Sequence, residues 1–172
     1  MSQNNFRMKN VLISIFAIVA ATAFFSCNDN SLEKQRQYEL ETLNAYIDEN
    51  YPDVEPTRSG LYYIENKVGT GDTIKAGDRV QIFYATWTLD SFLIDESDGF
   101  TDGYRYEPLE FTVGTGGVIA GLDEAMTYMQ KGTVATLIID SGLAYGQNGN
   151  GTIPGFTSLR MDVEVYKVYP AN

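Results

Sequence analysis

Apolar and polar residues alternate along most of the chain after residue 60, with the period of a half-buried β-strand. The clearest run begins at Leu159, where apolar residues at positions 159, 161, 163 and 165 alternate with Arg, Asp, Glu and Tyr. Residues 79–89 carry apolar side chains on both faces, with Val80, Ile82 and Tyr84 on one side, and therefore predict a central strand. The other predicted strands are residues 61–68, 109–113 and 134–139.

One short helix is predicted between these strands. Its apolar positions follow the spacing i, i+3, i+4 and i+7 and are Leu122, Ala125, Met126 and Met129. Asp123 and Glu124 lie in its first turn, where negative charge is favourable, and Lys131-Gly132 is the predicted end. The pattern predicts an α+β fold in which one helix lies across an antiparallel sheet.

Residues 31–50 predict a second, amphipathic helix before the sheet. Its apolar stripe consists of Leu40, Leu43, Tyr46 and Ile47. Pro52 and Pro56 end this helix and make residues 51–60 a linker. Because the stripe is short, we expect the helix to pack on the domain or to space it from a membrane, with dimerisation as the alternative.

The N-terminus has the order of a secretory signal. Arg7 and Lys9 precede an apolar segment, residues 11–25, which is too short for a comfortable membrane span. Ser26 and Cys27 follow, and Cys27 resembles the lipid-modified cysteine of bacterial lipoproteins. The alternatives are an uncleaved anchor and a buried free thiol. Cleavage before Cys27 would remove two basic residues and no acidic one, and would leave an acidic domain anchored by lipid in the bacterial cell envelope.

Composition excludes several classes of function. The chain has 172 residues, 44% of them hydrophobic and 20% charged, which fits one globular domain with appendages. It contains no His and one Cys, so catalysis by a His-containing triad and zinc binding by His and Cys are excluded within this chain. The net charge of −11 opposes nucleic-acid binding.

Two motif-like stretches do not carry the chemistry they suggest. Residues 114–119 place Ile119 where a dinucleotide-binding fingerprint requires its third Gly. Asp95, Glu96, Asp98 and Asp102 are clustered, but their spacing differs from that of a calcium-binding loop and favours an exposed acidic turn. We therefore expect neither a cofactor nor a metal.

The order of short segments from about Ser59 to Val168 resembles the FKBP-type peptidyl-prolyl isomerases. The matching segments are Val80-Gln-Ile-Phe-Tyr84, Ile94-Asp95, Pro108-Leu-Glu-Phe-Thr-Val-Gly114, Gly117-Val-Ile-Ala-Gly-Leu-Asp-Glu124, Met129-Gln-Lys-Gly132, Ala144-Tyr-Gly146, Ile153-Pro154 and Leu159-Arg-Met-Asp-Val-Glu164. The resemblance implies a half-open antiparallel sheet, or half-barrel, curled around one short helix. It divides the chain into a signal segment (1–26), a helix with its linker (27–59) and an FKBP-like domain (60–169).

The resemblance also implies a pocket. Its expected lining is Tyr84, Ile94, Asp95, Leu109, Val118, Ile119, Leu122, Tyr145, Ile153 and Met161. Four of these are expected to act in catalysis, namely Tyr84, Asp95, the backbone amide of Ile119 and Tyr145, and the other six to bind substrate. Leu122 would form the floor. Residues 145–154 would fold over one end, with the Tyr145 hydroxyl as a donor and Ile153 as an apolar wall.

The chain departs from the family at several of these positions. The family commonly has aromatic residues where this chain has Ile94, Leu109 and Met161, and often Trp where it has Leu122. Residues 98–107 are also longer than their family counterpart and bring Phe100, Tyr104 and Tyr106 to the rim. Without the resemblance, Tyr145, Asp95 and Leu122 would each be interpreted as structural residues.

The resemblance implies a peptidyl-prolyl cis-trans isomerase that acts on X-Pro bonds of proline-containing, unfolded or partly folded envelope proteins. The alternative is a non-catalytic proline-recognising or chaperone-like module on the same fold. A third possibility is a structural envelope lipoprotein whose acidic surface or N-terminal helix binds a partner.

Overall fold

A computed structural model describes residues 29–171 of the chain. The predicted signal segment, residues 1–26, and the predicted lipidation site Cys27 lie outside the described residues. The chain divides into two compact units, Met1–Gln35 and Arg36–Asn172. The described part of the first unit is the beginning of the N-terminal helix, and all packing described below lies within the second.

Between residues 29 and 171 the chain forms two α-helices, six β-strands and two 3₁₀ turns. In chain order they are α1 Asp29–Asn50, β1 Tyr62–Lys67, β2 Arg79–Thr88, β3 Leu93–Glu96, β4 Leu109–Thr112, α2 Ala120–Met126, β5 Val134–Ile139, the 3₁₀ turns Ser141–Leu143 and Gly146–Asn148, and β6 Leu159–Tyr169. Strand β5 has the predicted bounds, whereas β3 is a strand that the alternation alone did not predict.

The strands form one antiparallel sheet in the order β1-β5-β6-β2-β3. Strand β4 pairs with the first half of β2 and β3 with the second half, so both lie on the same edge of β2. Strand β6 pairs with β2 along its other edge. The prediction that residues 79–89 form a central strand is thereby confirmed, as is the α+β architecture of a curled antiparallel sheet with one short helix.

One face of the sheet, called the inner face here, packs against α2 and forms the main core. On β6 the predicted alternation holds, since Leu159, Met161, Val163 and Val165 are buried. The inner core also contains Leu61, Ile74, Val80, Ile82, Phe111, Val113, Ala135, Leu137, Ile139 and, from α2, Leu122, Ala125 and Met126. Helix α2 lies so close to β5 that a Cβ atom on Gly121 would come within 2.6 Å of Ile139 Cγ2.

Helix α2 ends earlier than its apolar spacing predicts. It stops at Met126 because the amides of Thr127, Tyr128 and Met129 each bond to a carbonyl three residues earlier, which turns the chain. Met129 is fully buried nevertheless, and its carbonyl accepts a hydrogen bond from Ile74 N at 3.0 Å. The apolar residue was identified correctly, but the predicted end at Lys131-Gly132 is wrong.

Helix α1 packs on the opposite, outer face of the sheet. Leu43 and Ile47 are buried against Ile138 of β5, with Tyr46 packed alongside. Leu40, which was predicted to share this stripe, is 37% exposed, and Glu39 is buried instead at 4% exposure. The buried face therefore follows the spacing 39, 43 and 47, with a carboxylate at its first position.

Among residues 29–171, no helix combines the length and apolar character needed to span a membrane.

Candidate active site

Tyr84 and Asp95 are brought together by the pairing of β2 with β3. Asp95 lies opposite Thr86, which is two residues from Tyr84 and on the same face of β2. The Tyr84 hydroxyl donates a hydrogen bond to Asp95 Oδ2 at 2.6 Å. Ser97 fixes this arrangement, because its N–H donates to the Tyr84 carbonyl at 2.9 Å and its hydroxyl accepts from Tyr84 N at 3.0 Å.

The electrostatics of this pair keep the tyrosine protonated. Burial raises the pKa of the Tyr84 hydroxyl well above its ordinary value of 10, and the hydrogen bond to Asp95, the charge of Asp95 and the nearby Tyr145 raise it further. At neutral pH the Tyr84 hydroxyl therefore keeps its proton and donates it to the hydrogen bond with Asp95.

Apolar side chains from α2, β6, β4 and the segment before α2 share the inner core with Tyr84. Leu122 of α2 is 2% exposed and Met161 of β6 is 4% exposed. Leu109 at the start of β4, and Val118 and Ile119 just before α2, are half-buried and pack on the same core as Tyr84. These five predicted residues and Tyr84 therefore belong to the inner core or pack against it.

The backbone of Ile119 has one group available. Its carbonyl accepts from Leu122 N and Asp123 N, each at 3.1 Å, and so starts the helix. Its N–H bonds to no acceptor within residues 29–171. A polypeptide carbonyl entering the site could therefore accept from this amide.

The loop between β5 and β6, residues 140–158, is called the flap here. It carries Tyr145, which is half-buried, and Ile153, which is 7% exposed. Asn150 and Ile153 exchange backbone hydrogen bonds at 2.9 Å, and Phe156 N bonds to the Gly146 carbonyl at 2.9 Å. A Cβ atom on Gly149 would lie 2.1 Å from the Ile153 carbonyl oxygen, so glycine is required there for the chain to fold back on itself. The Tyr145 hydroxyl has no hydrogen-bond partner among the described residues.

Four of the predicted lining residues, Ile94, Asp95, Tyr145 and Ile153, are not part of the inner core. Ile153 is buried within the flap but belongs to neither apolar cluster. Ile94 lies at a bulge between β2 and β3, where the register shifts between Thr86 and Trp87, and it is half-buried outside both clusters. A bulge breaks the two-residue alternation, so the sequence pattern did not determine where Ile94 points.

Residues 98–107 border a cleft beside Tyr84. A cleft of about 440 Å³ is lined by Tyr84, Glu96, Ser97, Asp98, Gly99, Glu107, Pro108 and Leu109. Tyr104 and Tyr106 stack on each other with ring centres 5.6 Å apart and remain exposed, while Arg105 lies over Phe100 at 4.5 Å. Two of the predicted pocket residues, Tyr84 and Leu109, therefore line a cleft whose other walls are mostly polar.

This arrangement offers shape, an apolar surface and hydrogen-bond donors rather than a nucleophile or a metal. No group of three or more potential metal-ligating side chains converges in the part of the chain that the structure describes. Apolar residues that pack with Tyr84, together with the Tyr145 hydroxyl and the Ile119 amide, are groups that could contact an extended peptide and a small apolar ring.

Sequence reasoning missed a set of polar residues that hold the flap. Glu39 and Arg36 of α1 contact Asp140, Ser141 and Ser158 at the two ends of the flap. One signal was present in the sequence: the spacing of Leu43 and Ile47, continued back by one turn, reaches Glu39.

Comparison with known proteins identifies relatives of this chain. A family model for FKBP-type peptidyl-prolyl cis-trans isomerase matches residues 71–166, more than half of the chain. A probable FKBP-type peptidyl-prolyl cis-trans isomerase from Haemophilus influenzae is 32% identical over 165 residues, which cover 95% of this chain and 64% of that protein. The FKBP-type 22 kDa isomerase of Escherichia coli is 36% identical over 126 residues, covering 72% of this chain and 58% of its own length. The chain thus spans about three fifths of these two relatives.

Solved structures show the same fold. The crystal structure of FkpA from Escherichia coli matches with a TM-score of 0.69 and 29% identity, over 96% of this chain and 73% of that chain. A peptidyl-prolyl cis-trans isomerase from Pseudomonas syringae pv. tomato matches with a TM-score of 0.67 and 27% identity, over 80% of this chain and 96% of that one.

Proposed function

Because this chain belongs to the FKBP-type peptidyl-prolyl cis-trans isomerase family, we propose that it accelerates the cis/trans isomerisation of X-Pro bonds. The observation that carries the proposal is the hydrogen bond between Tyr84 and Asp95, with the Tyr84 ring packed against the apolar core that contains Leu122 and Met161. The flap residue Tyr145 lies close enough to influence the Tyr84 hydroxyl.

Such a reaction needs no nucleophile. Resonance holds the X-Pro bond planar, and rotation faces a barrier of roughly 18–20 kcal/mol, so uncatalysed exchange takes tens of seconds. Rotation localises the nitrogen lone pair and weakens the carbonyl dipole. A water-poor, apolar site therefore penalises the planar amide more than the twisted one, and this difference in binding lowers the barrier.

Each residue has a defined part in this proposal. The proline ring would rest on Leu122 and Met161, with Val118 and Leu109 at its sides. The Ile119 N–H would donate to a substrate carbonyl, and the Tyr145 hydroxyl would donate to a second one. Asp95, held by Tyr84, would face the carbonyl of the bond that rotates. Ile94 on β3 and Ile153 on the flap would narrow the entrance to the pocket.

The test is NMR exchange on X-Pro peptides that differ in the residue before proline, with and without micromolar protein. Acceleration of cis/trans exchange in at least one peptide is the expected result. An unrelated protein at equal concentration is the control for nonspecific effects. If no peptide exchanges faster than in buffer, the proposed activity is wrong.

A second function is favoured by the aliphatic residues at 94, 109, 122 and 161. Each aromatic ring that packs against a proline contributes about 1 kcal/mol of binding free energy beyond the contribution of the area it buries. Without them the site could recognise proline-containing polypeptides without accelerating their isomerisation. Binding of an X-Pro peptide in a titration, together with suppressed aggregation of an unfolded protein and unchanged exchange rates, would select this function.

For the location of the protein, we propose a bacterial lipoprotein anchored through Cys27 in the cell envelope, where proline-containing envelope proteins would be its substrates. The basic residues, the apolar segment and the single Cys after Ser26 support this proposal. Mass spectrometry of the protein from membranes should find a lipid on Cys27, and Cys27→Ser should release the protein from them. An uncleaved N-terminus in the mass spectrum would contradict the proposal.

A further inference from the structure

A buried carboxylate connects helix α1 to both ends of the flap. Glu39 Oε1 accepts from the Ser141 backbone N–H at 2.7 Å and from the Ser158 hydroxyl at 2.8 Å. Glu39 Oε2 accepts from the Ser141 hydroxyl at 2.7 Å and from Arg36 at 2.6 Å. Three of these four hydrogen bonds therefore come from the flap, two from its beginning and one from its end.

Arg36 adds a second link to the beginning of the flap. While one of its nitrogens donates to Glu39, the other donates to Asp140 Oδ2 at 2.6 Å. Asp140 in turn accepts from Leu143 N at 3.1 Å and so caps the first 3₁₀ turn of the flap. Arg36, Glu39, Asp140, Ser141 and Ser158 are called the Glu39 cluster below.

The cluster controls the places where the flap leaves and rejoins the sheet. Ser141 comes two residues after β5 ends at Ile139, and Ser158 comes directly before β6 begins at Leu159. The chain between them carries Tyr145 and Ile153. Because both ends are bonded to one carboxylate, the freedom of the whole loop depends on that group.

Apolar packing alone does not explain a glutamate at this position. Leu43 and Ile47 already bury α1 against Ile138, and an apolar residue at position 39 would extend the same stripe. The carboxylate instead provides acceptors for donors that would otherwise be buried without partners, which is unfavourable. Burial alone would raise the pKa of the Glu39 carboxyl, but the hydrogen bonds from Ser141, Ser158 and Arg36 lower it below its usual value.

We propose that Glu39 is a positioning residue for the isomerase site, which holds the flap over the pocket from a helix outside the segment that matches the family model. The inference concerns the same pocket as the proposed function and rests on it for its kinetic consequence. Its structural consequence, a flap whose order depends on α1, can be measured independently of catalysis.

The variant that tests it is Glu39→Gln in the full chain. Glutamine keeps the size of the side chain, but it replaces one acceptor oxygen by a donor that meets the Ser141 and Ser158 donors, and it removes the charge facing Arg36. The readout is hydrogen exchange at the flap amides of Ala144, Asn150 and Phe156, which are bonded within the flap. The activity readout is kcat/KM for an X-Pro peptide.

In Glu39→Gln these flap amides should exchange hydrogen about tenfold faster than in the wild type. The exchange rates of the β5 and β6 amides should rise only as far as any loss of global stability requires. Its kcat/KM should fall about fivefold, the result of a flap that spends less time over the pocket. Ser158→Ala removes a single hydrogen bond of the cluster. It should show a smaller change of the same kind and provides the test if Glu39→Gln does not fold.

Two variants of α1 serve as matched controls. Glu41→Gln changes an exposed carboxylate on the same helix, whose partner is Gln37, and should leave both readouts at the wild-type values. Leu43→Ala weakens the packing of α1 without touching the cluster, and should accelerate exchange across the domain rather than in the flap alone.

The proposal is overturned if Glu39→Gln leaves flap exchange unchanged, or if it accelerates exchange of the flap amides no more than that of the β5 and β6 amides. A wild-type protein that does not accelerate isomerisation would defeat the proposed function, but flap exchange would still decide whether Glu39 holds the loop. The two failures are therefore distinguishable.

Discussion

The two faces of the sheet are covered by helices that are held in different ways. On the inner face, α2 contributes Leu122, Ala125 and Met126 to a continuous apolar core. On the outer face, α1 contributes only a small apolar cluster around Leu43 and Ile47, followed by the ionic contacts of the Glu39 cluster. The inner helix is held mainly by burial, and the outer helix by burial and directional hydrogen bonds together.

The difference separates two tasks in one domain. Apolar burial is nondirectional, so the inner face provides a dense floor for the pocket without specifying the position of any loop. Hydrogen bonds to a buried carboxylate have defined geometry and are costly to leave incomplete, so the outer face can specify where the flap begins and ends. The core is thus held by burial on one face, and the ends of the flap are bonded from the other.

The largest expected effect comes from truncating neighbouring residues of β5 that point to opposite faces. Leu137 belongs to the inner core and Ile138 to the outer cluster, and both are fully buried. Leu137→Ala should lower the free energy of unfolding by about 3–5 kcal/mol and Ile138→Ala by about 2–3 kcal/mol. The smaller value is expected because the half-buried tyrosines around Ile138 can move into the space. Urea unfolding measures both, and a larger loss for Ile138→Ala would contradict this division.

The second prediction is that catalysis depends on residues of the inner face and not on those of the outer face. Tyr84→Phe removes the hydroxyl that donates to Asp95 and should lower kcat/KM about tenfold, with a loss of less than about 1.5 kcal/mol in unfolding free energy. Tyr166→Phe, on the outward side of β6, is the matched control and should leave kcat/KM unchanged. Equal activity of the two variants would remove Tyr84 from the site.

The pH dependence of stability should distinguish the two helices. Glu39 on α1 and Glu124 on α2 both have a pKa below the ordinary 4.5: burial raises it in each, and hydrogen bonds overcome that effect. A carboxyl whose pKa is lower in the folded state stabilises the fold above its unfolded pKa, and this contribution is lost as pH falls through the folded pKa.

Wild-type unfolding free energy should therefore decrease as pH falls from neutral through and below 4.5, and Glu39→Gln should flatten this decrease. Glu124→Gln should flatten it less, because Glu124 is half-exposed and its partners are hydroxyl groups of Thr57, Ser59 and Tyr128. Arg36 and Asp140 adjoin Glu39, so Asp140→Asn is needed as a further control. A steeper acid response in Glu39→Gln than in the wild type would contradict this assignment.

The same contrast explains what the sequence could predict. The alternation in β6, the bounds of β5 and the burial of Leu122 follow from period-two and period-3.6 patterns of apolar residues, which reflect burial on one face. The ten pocket residues are predicted by a family resemblance, and six of them belong to the inner core or pack against it, namely Tyr84, Leu109, Val118, Ile119, Leu122 and Met161.

Features that depend on partners distant in sequence could not be predicted in this way. Glu39 meets Ser141 and Ser158 across more than 100 residues, and no local pattern encodes such a pairing. Leu40 was placed on the buried face of α1 because hydrophobicity favours it over Glu39, although buried hydrogen bonds reverse that order. The orientation of Ile94 depends on a bulge, and the end of α2 depends on 3₁₀ hydrogen bonds. Tertiary geometry determines both features.

The smallest expected effect is a gain of activity at the rim of the pocket. Leu109 is half-buried at the start of β4, beside the cleft that Tyr84 borders, so Leu109→Phe has room for a larger side chain. An aromatic edge against a proline ring or carbonyl should contribute about 1 kcal/mol, which corresponds to about a fivefold increase in kcat/KM. Met161→Phe, at a fully packed inner position, is the comparison, because overpacking there should lower stability and offset any gain. If Leu109→Phe binds X-Pro peptides more tightly without faster exchange, the added ring stabilises ground state and transition state equally, and the aliphatic wall does not limit catalysis.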